Sequence, residues 1–419
     1  MTYVEFFDRD AIENVCACLS YAPERVIFVG DNAKLMKRHA ENYRRVFDAR
    51  GYATELQVKG IQKNDLDSAV AVIEELINEY DDLAFGLTGG QELLLVALGM
   101  VYGKHPDKVL QLHRFNLRNG TICDIDKDGV TVFCDTPTLS VVENVRIYGG
   151  DVVYSGVDGL KTYNWELDSE FAADVETLWQ ICRRDIKAWN LQVTVFGAIE
   201  AVGYPTDDGL TVVATRAEVE HQLAGRGLEI THDQRVVNEL LDSGLLTYYF
   251  QDEDDTQMLI TYKDPQIRRC LSKAGQALEM KIYMTALGAT DENNEWVYND
   301  VANGVVIDWD GVIDEAGDGK CDTENEVDVM MMHGTVPVFV SCKNGYVDAE
   351  ELYKLETVAE RFGGKYAKKV LVATSIDALG NAGEYLRQRA KDMNVRLIEG
   401  VQDMDDAELT KRIKTLWSN

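Results

Sequence analysis

Two short apolar runs between positions 325 and 345 carry polar side chains at a spacing that suits phosphodiester chemistry. Glu326 and Asp328 are two apart, as are Ser341 and Lys343, and residues two apart on a strand share a face. The turn His333-Gly334-Thr335 makes the runs an antiparallel hairpin, which sets Asp328 opposite Ser341 and Glu326 opposite Lys343. Carboxylates so placed can hold Mg2+ or Mn2+ through oxygen, and a lysine beside them can stabilise charge developing on phosphoryl oxygens. On an exposed hairpin the same residues would form a surface ion pair of little energetic weight. Their setting inside apolar strands argues for chemistry, as does Glu279, an acid in the otherwise core-type helical stretch 272–283.

A second group of candidates lies near the N-terminus. The loop Leu87-Thr88-Gly89-Gly90-Gln91-Glu92 follows a buried strand and opens a helix. There glycine lets backbone N–H groups approach a ligand, and the helix N-terminus favours an anion. Asp8, Arg9 and Asp10 leave the first strand at what is expected to be the same carboxyl edge of a sheet. No G-x-G-x-x-G pattern occurs, which disfavours a nicotinamide cofactor.

The elements that must position these residues are read from hydrophobic period. From residue 2 to about 126, strands near 3–7, 25–29, 53–58, 83–87 and 108–114 alternate with helices near 10–20, 33–49, 64–80 and 90–103. That alternation is the signature of a Rossmann-like parallel sheet wrapped by helices, with Gly51 as a helix stop. Residues 115–160 read as a β-rich extension with hairpin turns at 118–120 and 127–129. A helical stretch at 168–203 precedes helices near 215–224 and 232–243 and two strands joined by the acidic turn 251–255, the order of a winged helix. Helix 232–243 offers DNA little beyond Arg235, so a structural or dimerising module is expected there. From 272 onward the order is α-β-β-β-α-β-α-β, closing with strand 395–398. The fold class is therefore α/β, with domains at 1–160, 161–268 and 269–419.

Composition bounds the partners. With 419 residues, 46% hydrophobic and 27% charged, the chain can bury several cores. A formal net charge of -30 excludes a protein that coats nucleic acid through a broad basic surface, so any such contact is local. Apolar runs such as 25–29 and 369–373 are too short to cross a bilayer, and the N-terminus lacks a secretory pattern, so a cytoplasmic protein is expected. The eight cysteines are scattered without ligand spacing and read as buried thiols.

Gly275 to Glu279, Asn325 to Asp328 and Ser341 to Lys343 resemble, in order, the G-x-x-L-E helix, N-E-x-D strand and x-C-K strand of PD-(D/E)xK restriction-endonuclease-like nucleases. The resemblance implies Glu279 and Asp328 as metal ligands, the Cys342 backbone carbonyl as a third, and Lys343 as catalytic. Ser341 stands where that family carries Glu, Asp or Gln, so either Glu326 compensates or the site is weakened. Residues 2–126 resemble the CRISPR-associated Rossmann-fold (CARF) sensor domain, which implies cyclic oligoadenylate, the tetramer foremost, bound by Asp8, Arg9, Asp10, Thr88, Gly89, Gly90, Gln91 and Glu92 across a dimer axis. Gln91-Glu92 replaces the usual Thr-Lys, exchanging a positive charge for a negative one. The whole chain thus resembles the CARF plus PD-(D/E)xK effector nucleases of type III CRISPR immunity, which implies a ligand-gated homodimer cutting DNA, RNA or both. The alternative is a non-catalytic nucleotide sensor or DNA-binding regulator with a degenerate nuclease fold.

Overall fold

The computed structural model describes residues 1–105, 110–116, 121–125, 131–134, 137–154, 161–230, 233–251, 256–313, 324–376 and 380–418. In the front unit, β1 (Thr2–Phe6), α1 (Ala11–Tyr21), β2 (Arg25–Gly30), α2 (Ala33–Ala49), β3 (Glu55–Gly60), α3 (Leu66–Glu79), β4 (Leu83–Gly86), α4 (Glu92–Lys104) and β5 (Leu110–Asn116) alternate as expected. β6 (Thr121–Ile125) and β7 (Thr131–Cys134) add an antiparallel edge, giving the sheet order β3-β2-β1-β4-β5-β6-β7. The first five strands are parallel and the order reverses between β1 and β4, which opens a crevice at their carboxyl ends. Gly51, with φ +73°, ends α2 as the sequence indicates. The hairpin turns expected at 118–120 and 127–129, and the acidic turn at 252–255, lie outside the described residues.

The β-rich reading of 115–160 gives way at Ser140. Ser140 and Glu143 form a reciprocal capping box that starts a helix, α5 (Val141–Ile147). The following β8 (Asp151–Val152) leaves the front sheet altogether and pairs with a strand of the rear one.

The middle of the chain folds as α6 (Ser169–Arg184), α7 (Ile186–Val202), β9 (Tyr204–Pro205), β10 (Thr211–Thr215), α8 (Arg216–Ala224), α9 (Gln234–Asp242), β11 (Leu246–Gln251), β12 (Gln257–Tyr262) and α10 (Pro265–Cys270). Its antiparallel sheet, β11-β12-β10-β9, with α8 and α9 is winged-helix-like. α9 buries Val236, Val237 and Leu240, while Arg235 faces Asp185 and Glu239, so its single cation is engaged within the protein.

The rear unit runs α11 (Gln276–Leu287), β13 (Asp300–Asp308), β14 (Glu324–His333), β15 (Val336–Lys343), α12 (Glu350–Gly363), β16 (Lys368–Ala373), α13 (Asn381–Asp392), β17 (Val395–Glu399) and α14 (Asp406–Ile413). Its sheet order is β17-β16-β15-β14-β13-β8. β15, β16 and β17 are parallel and the others antiparallel. Gly334, with φ +61°, turns β14 into β15 through a two-residue loop that few other residues could form without strain. One face of this sheet packs on α11, α14 and the middle unit. The other, through Met330, Phe339, Leu371 and the α12 residues Leu355 and Phe362, joins a continuous core with Tyr3, Phe28 and Phe47 of the front unit. Among the described residues no helix is long and apolar enough to cross a membrane. The six cysteines described side chain by side chain are free, five of them buried.

Candidate functional site

In the rear unit the β14–β15 ladder ends at the Val329–Val340 pair although both strands run on. Asp328 fills the place where the ladder stops. Its Oδ2 accepts the Cys342 N–H at 2.6 Å and the Ser341 hydroxyl at 3.2 Å, and Lys343 Nζ stands 3.9 Å away. The pairing of Asp328 with Ser341 is thus as the hairpin register requires. Glu326 is not opposite Lys343: it takes Lys273 instead, at 3.1 Å, because the ladder has ended three residues away at Val329. Behind the site, Asn303 donates to the Asp328 backbone carbonyl at 3.0 Å and accepts from Gln276 and Trp165.

Glu279 enters from the first turn of α11, buried, with Oε2 lacking a hydrogen-bond partner. Burial, reinforced by the nearby Asp328 and Glu326 carboxylates, pushes its pKa up to about 8. Burial also raises Asp328, against the pull of Lys343 and the Cys342 N–H. For Lys343, burial lowers the pKa, but Asp328 and a hydrogen bond to Glu351 outweigh it and hold the ammonium above the ordinary lysine range. A buried carboxylate oxygen without a donor, beside a second carboxylate, is an arrangement that a cation relieves. Among the described residues no three His, Cys, Asp or Glu side chains converge as a metal cluster. The side-chain donors at hand are two carboxylates, Glu279 and Asp328, oxygen ligands of the kind a hydrated hard cation takes.

Sequence reasoning missed Glu351. It sits in the first turn of α12, where acids usually offset the helix dipole in solvent, yet its Oε2 is 2.8 Å from Lys343 Nζ and its Oε1 is 2.9 Å from Lys354. Burial raises its pKa, and the two ammonium groups more than reverse that. The chain after Lys343 is braced by the middle unit: Asn190 donates to the Asn344 carbonyl at 2.6 Å, and Asn344 donates to Asn190 at 3.0 Å.

In the front unit a cavity of about 470 Å3 opens at the carboxyl ends of β1 to β4, lined by Phe7, Asp8, Arg9, Gly30, Asp31, Asn32, Leu35, Lys63, Asn64, Gly90, Gln91 and Glu92. The two loops singled out in the sequence meet there, with the Gly90 N–H donating to Asp8 Oδ2 at 3.3 Å. Gly90 has φ +92°, and a Cβ on it would lie 2.4 Å from Phe6 Cβ, so only glycine fits. Three expected residues stand outside the cavity wall. The Thr88 hydroxyl accepts the Phe115 N–H at 2.7 Å, and Gly89 lies against Asp8 and Glu13. Asp10 turns toward the rear unit, accepting from the Tyr148 hydroxyl at 2.6 Å and the Lys365 N–H at 3.0 Å. Glu13 does the same, accepting from Tyr366 at 2.8 Å and pairing with Lys365. Asp31, Asn32, Lys63 and Asn64 were not anticipated; they occupy the loops after β2 and β3, which share the edge by the same topological rule.

No protein-family model and no curated protein matches the sequence. The fold matches the crystal structure of protein VC1899 from Vibrio cholerae over 99% of this chain and 97% of that one, at 13% identity and a TM-score of 0.70. It also matches Can2 from Sulfobacillus thermosulfidooxidans, solved in complex with cyclic tetra-adenylate, over the same 99% and 97%, at 13% identity and a TM-score of 0.62. At such identity the likeness is one of fold. From end to end the chain shares the fold of these two structures, with a Rossmann-like front unit, a winged-helix-like middle and an α/β rear unit.

Proposed function

We propose that the protein is a cyclic-oligoadenylate-activated, divalent-metal-dependent endonuclease of antiviral CRISPR defence, acting on DNA, RNA or both in the cytoplasm. The observation that carries the nuclease reading is the buried Glu279 carboxylate, one oxygen unpartnered, set against Asp328 with Lys343 alongside. Glu279, Asp328 and the Cys342 carbonyl would hold Mg2+ or Mn2+, which would supply positive charge to a scissile phosphate and its attacking water. Lys343 contributes a fixed ammonium for charge that grows on the phosphoryl oxygens. Glu351 and Asp328 hold that ammonium between them. Glu351 thus brings a carboxylate to Lys343 where Ser341 brings none, while Glu326 is engaged by Lys273.

For the sensor, the N-termini of α1, α2 and α4 all face the edge where the cavity opens, an arrangement that favours an anionic ligand. Arg9 and Lys63 provide cations there, Lys63 standing in for the lysine that Glu92 displaces. Cyclic tetra-adenylate is the ligand of choice because Can2, of the same fold, was solved with it. A homodimer is supported by α4, which is apolar nearly all round and leaves Leu95, Val96 and Met100 exposed directly after the proposed ligand loop. A second copy would cover that face and complete the ligand site.

The alternative, a non-catalytic sensor or DNA-binding regulator, draws on Ser341, but Arg235 is engaged in ion pairs and leaves α9 poor in DNA contacts. The deciding experiment incubates purified protein with labelled DNA and RNA in Mg2+ or Mn2+, with and without cyclic tetra-adenylate. Ligand-dependent cleavage that Asp328→Ala and Lys343→Ala both abolish supports the reading. Binding without cleavage on every substrate selects the alternative.

A further inference from the structure

Three tyrosines of the rear unit share one cavity. Tyr346, three residues after Lys343, is 76% exposed; Tyr353 on α12 is 46% exposed and Tyr385 on α13 78%. With Val347, Leu386 and Arg389 they border a cavity of about 360 Å3 between α12 and α13. β15, β16 and β17 are parallel, so the helices that follow β15 and β16 begin at the carboxyl edge of the sheet, the edge where Lys343 ends β15. Tyr346 and Tyr353, in the segment that leaves Lys343 and in the first turn of α12, therefore lie toward that same edge. Glu351, which bonds Lys343, precedes Tyr353 by two residues on the same helix.

Arg389 fixes one ring, its guanidinium hydrogen-bonded to the Tyr353 hydroxyl and its Cζ 5.6 Å from the ring centroid. The charges at the rim, Arg389 against Asp348 and Asp392, give no excess of cations to hold phosphate. With a formal net charge of -30 the chain cannot draw nucleic-acid affinity from broad phosphate neutralisation. Stacking on aromatic rings is free of that requirement and is open to every base, provided the base is not paired in a duplex.

We propose that Tyr346, Tyr353 and Tyr385, with Arg389, form a stacking subsite for unpaired nucleobases of the strand being cut. This rests on the nuclease reading of Glu279, Asp328 and Lys343. The test measures binding of labelled oligothymidine, of an abasic strand of equal length and of the matching duplex to full-length Lys343→Ala protein, alone and with Tyr346→Ala or Tyr385→Ala added. Both tyrosines are exposed, so the added changes leave the core intact. Oligothymidine is expected to bind more tightly than the abasic strand or the duplex. Each alanine should weaken it by roughly 5- to 100-fold, the loss of one base–aromatic stack, while phenylalanine retains it. The abasic strand should be indifferent to either change. Alanine variants that bind oligothymidine as the parent does, or an abasic strand that binds equally well, overturn the proposal. Cleavage of labelled DNA and RNA by the protein with Lys343 intact, in Mn2+ and cyclic tetra-adenylate, separates the two readings: tyrosine-dependent binding without cleavage of any substrate sinks the nuclease reading alone, and cleavage with tyrosine-independent binding sinks the stacking subsite alone.

Discussion

Replacing Glu279 by Gln is expected to stabilise the metal-free protein, and to do so more strongly as pH rises. The folded carboxyl titrates near 8 against an ordinary 4.5, because it is buried beside Asp328 and Glu326. Between those values the native state holds a proton that the unfolded chain has released, so the stability this group contributes is present below about 4.5 and lost as pH climbs through 8. At about 1.4 kcal/mol per pKa unit, the span from pH 5 to pH 8 removes roughly 3 kcal/mol. Glutamine keeps the shape and never ionises, so the variant escapes that loss. Unfolding followed in EDTA at pH 5, 6, 7 and 8 should show the variant-minus-parent difference growing by about that amount. Asp328, raised by burial in the same pocket, adds to the parent's slope with the same sign. Saturating Mn2+ should reverse the ranking, since metal stabilises more strongly the protein that keeps both carboxylates. A difference that stays flat from pH 5 to pH 8 would refute the placement of Glu279 as a buried, unpartnered acid.

Asp328→Ala and Lys343→Ala should each lower ligand-activated cleavage by at least about 100-fold, with Lys343→Ala sparing Mn2+ affinity as read by calorimetry. Glu351→Gln removes the 2.8 Å partner of Lys343 and should cut kcat by roughly 10-fold with KM little changed, whereas Ser341→Glu should tighten Mn2+ binding in the same calorimetric assay. Lys63→Ala should weaken cyclic tetra-adenylate by about 5-fold or more, and the loss should shrink at high salt, as a phosphate contact requires. Val96→Asp on the exposed face of α4 should give a monomer in light scattering.

Much of this fold was legible because hydrophobic period and caps act locally. The central strands β2 and β4 are continuous apolar runs, as parallel strands buried on both faces must be, and α2 ends at Gly51, whose left-handed backbone favours glycine. The hairpin around Gly334 fixed the Asp328–Ser341 pairing through turn length alone. Local rules reached no further. The capping box at Ser140 and Glu143 was in the sequence, but neighbouring turn signals masked it. β8 is two residues long and pairs with β13 across some 150 positions, a contact no local pattern specifies. Glu326 shares a face with Asp328, yet the end of the ladder gave it to Lys273 rather than Lys343. Glu351 stands in a helix's first turn, where acids are common in solvent, and only the packing of α12 on the sheet brings it to Lys343.

Helix α12 has one further consequence. Its first turn grips Lys343 through Glu351, and the three-residue turn after its last residue, Gly364–Tyr366, is held by Asp10 and Glu13 of the front unit. Gly364 has φ +58° and no room for a side chain against Asp10, so that junction is tight. Fourteen residues of helix, about 21 Å, are all that separates the turn that holds Lys343 from the loop next to the front cavity. By linkage, the free energy by which a ligand in the front cavity alters substrate binding at Lys343 equals the free energy by which substrate alters that ligand's affinity. Nucleotide dissociation constants of the full-length Lys343→Ala protein measured with and without substrate should therefore differ, and their ratio gives the coupling energy.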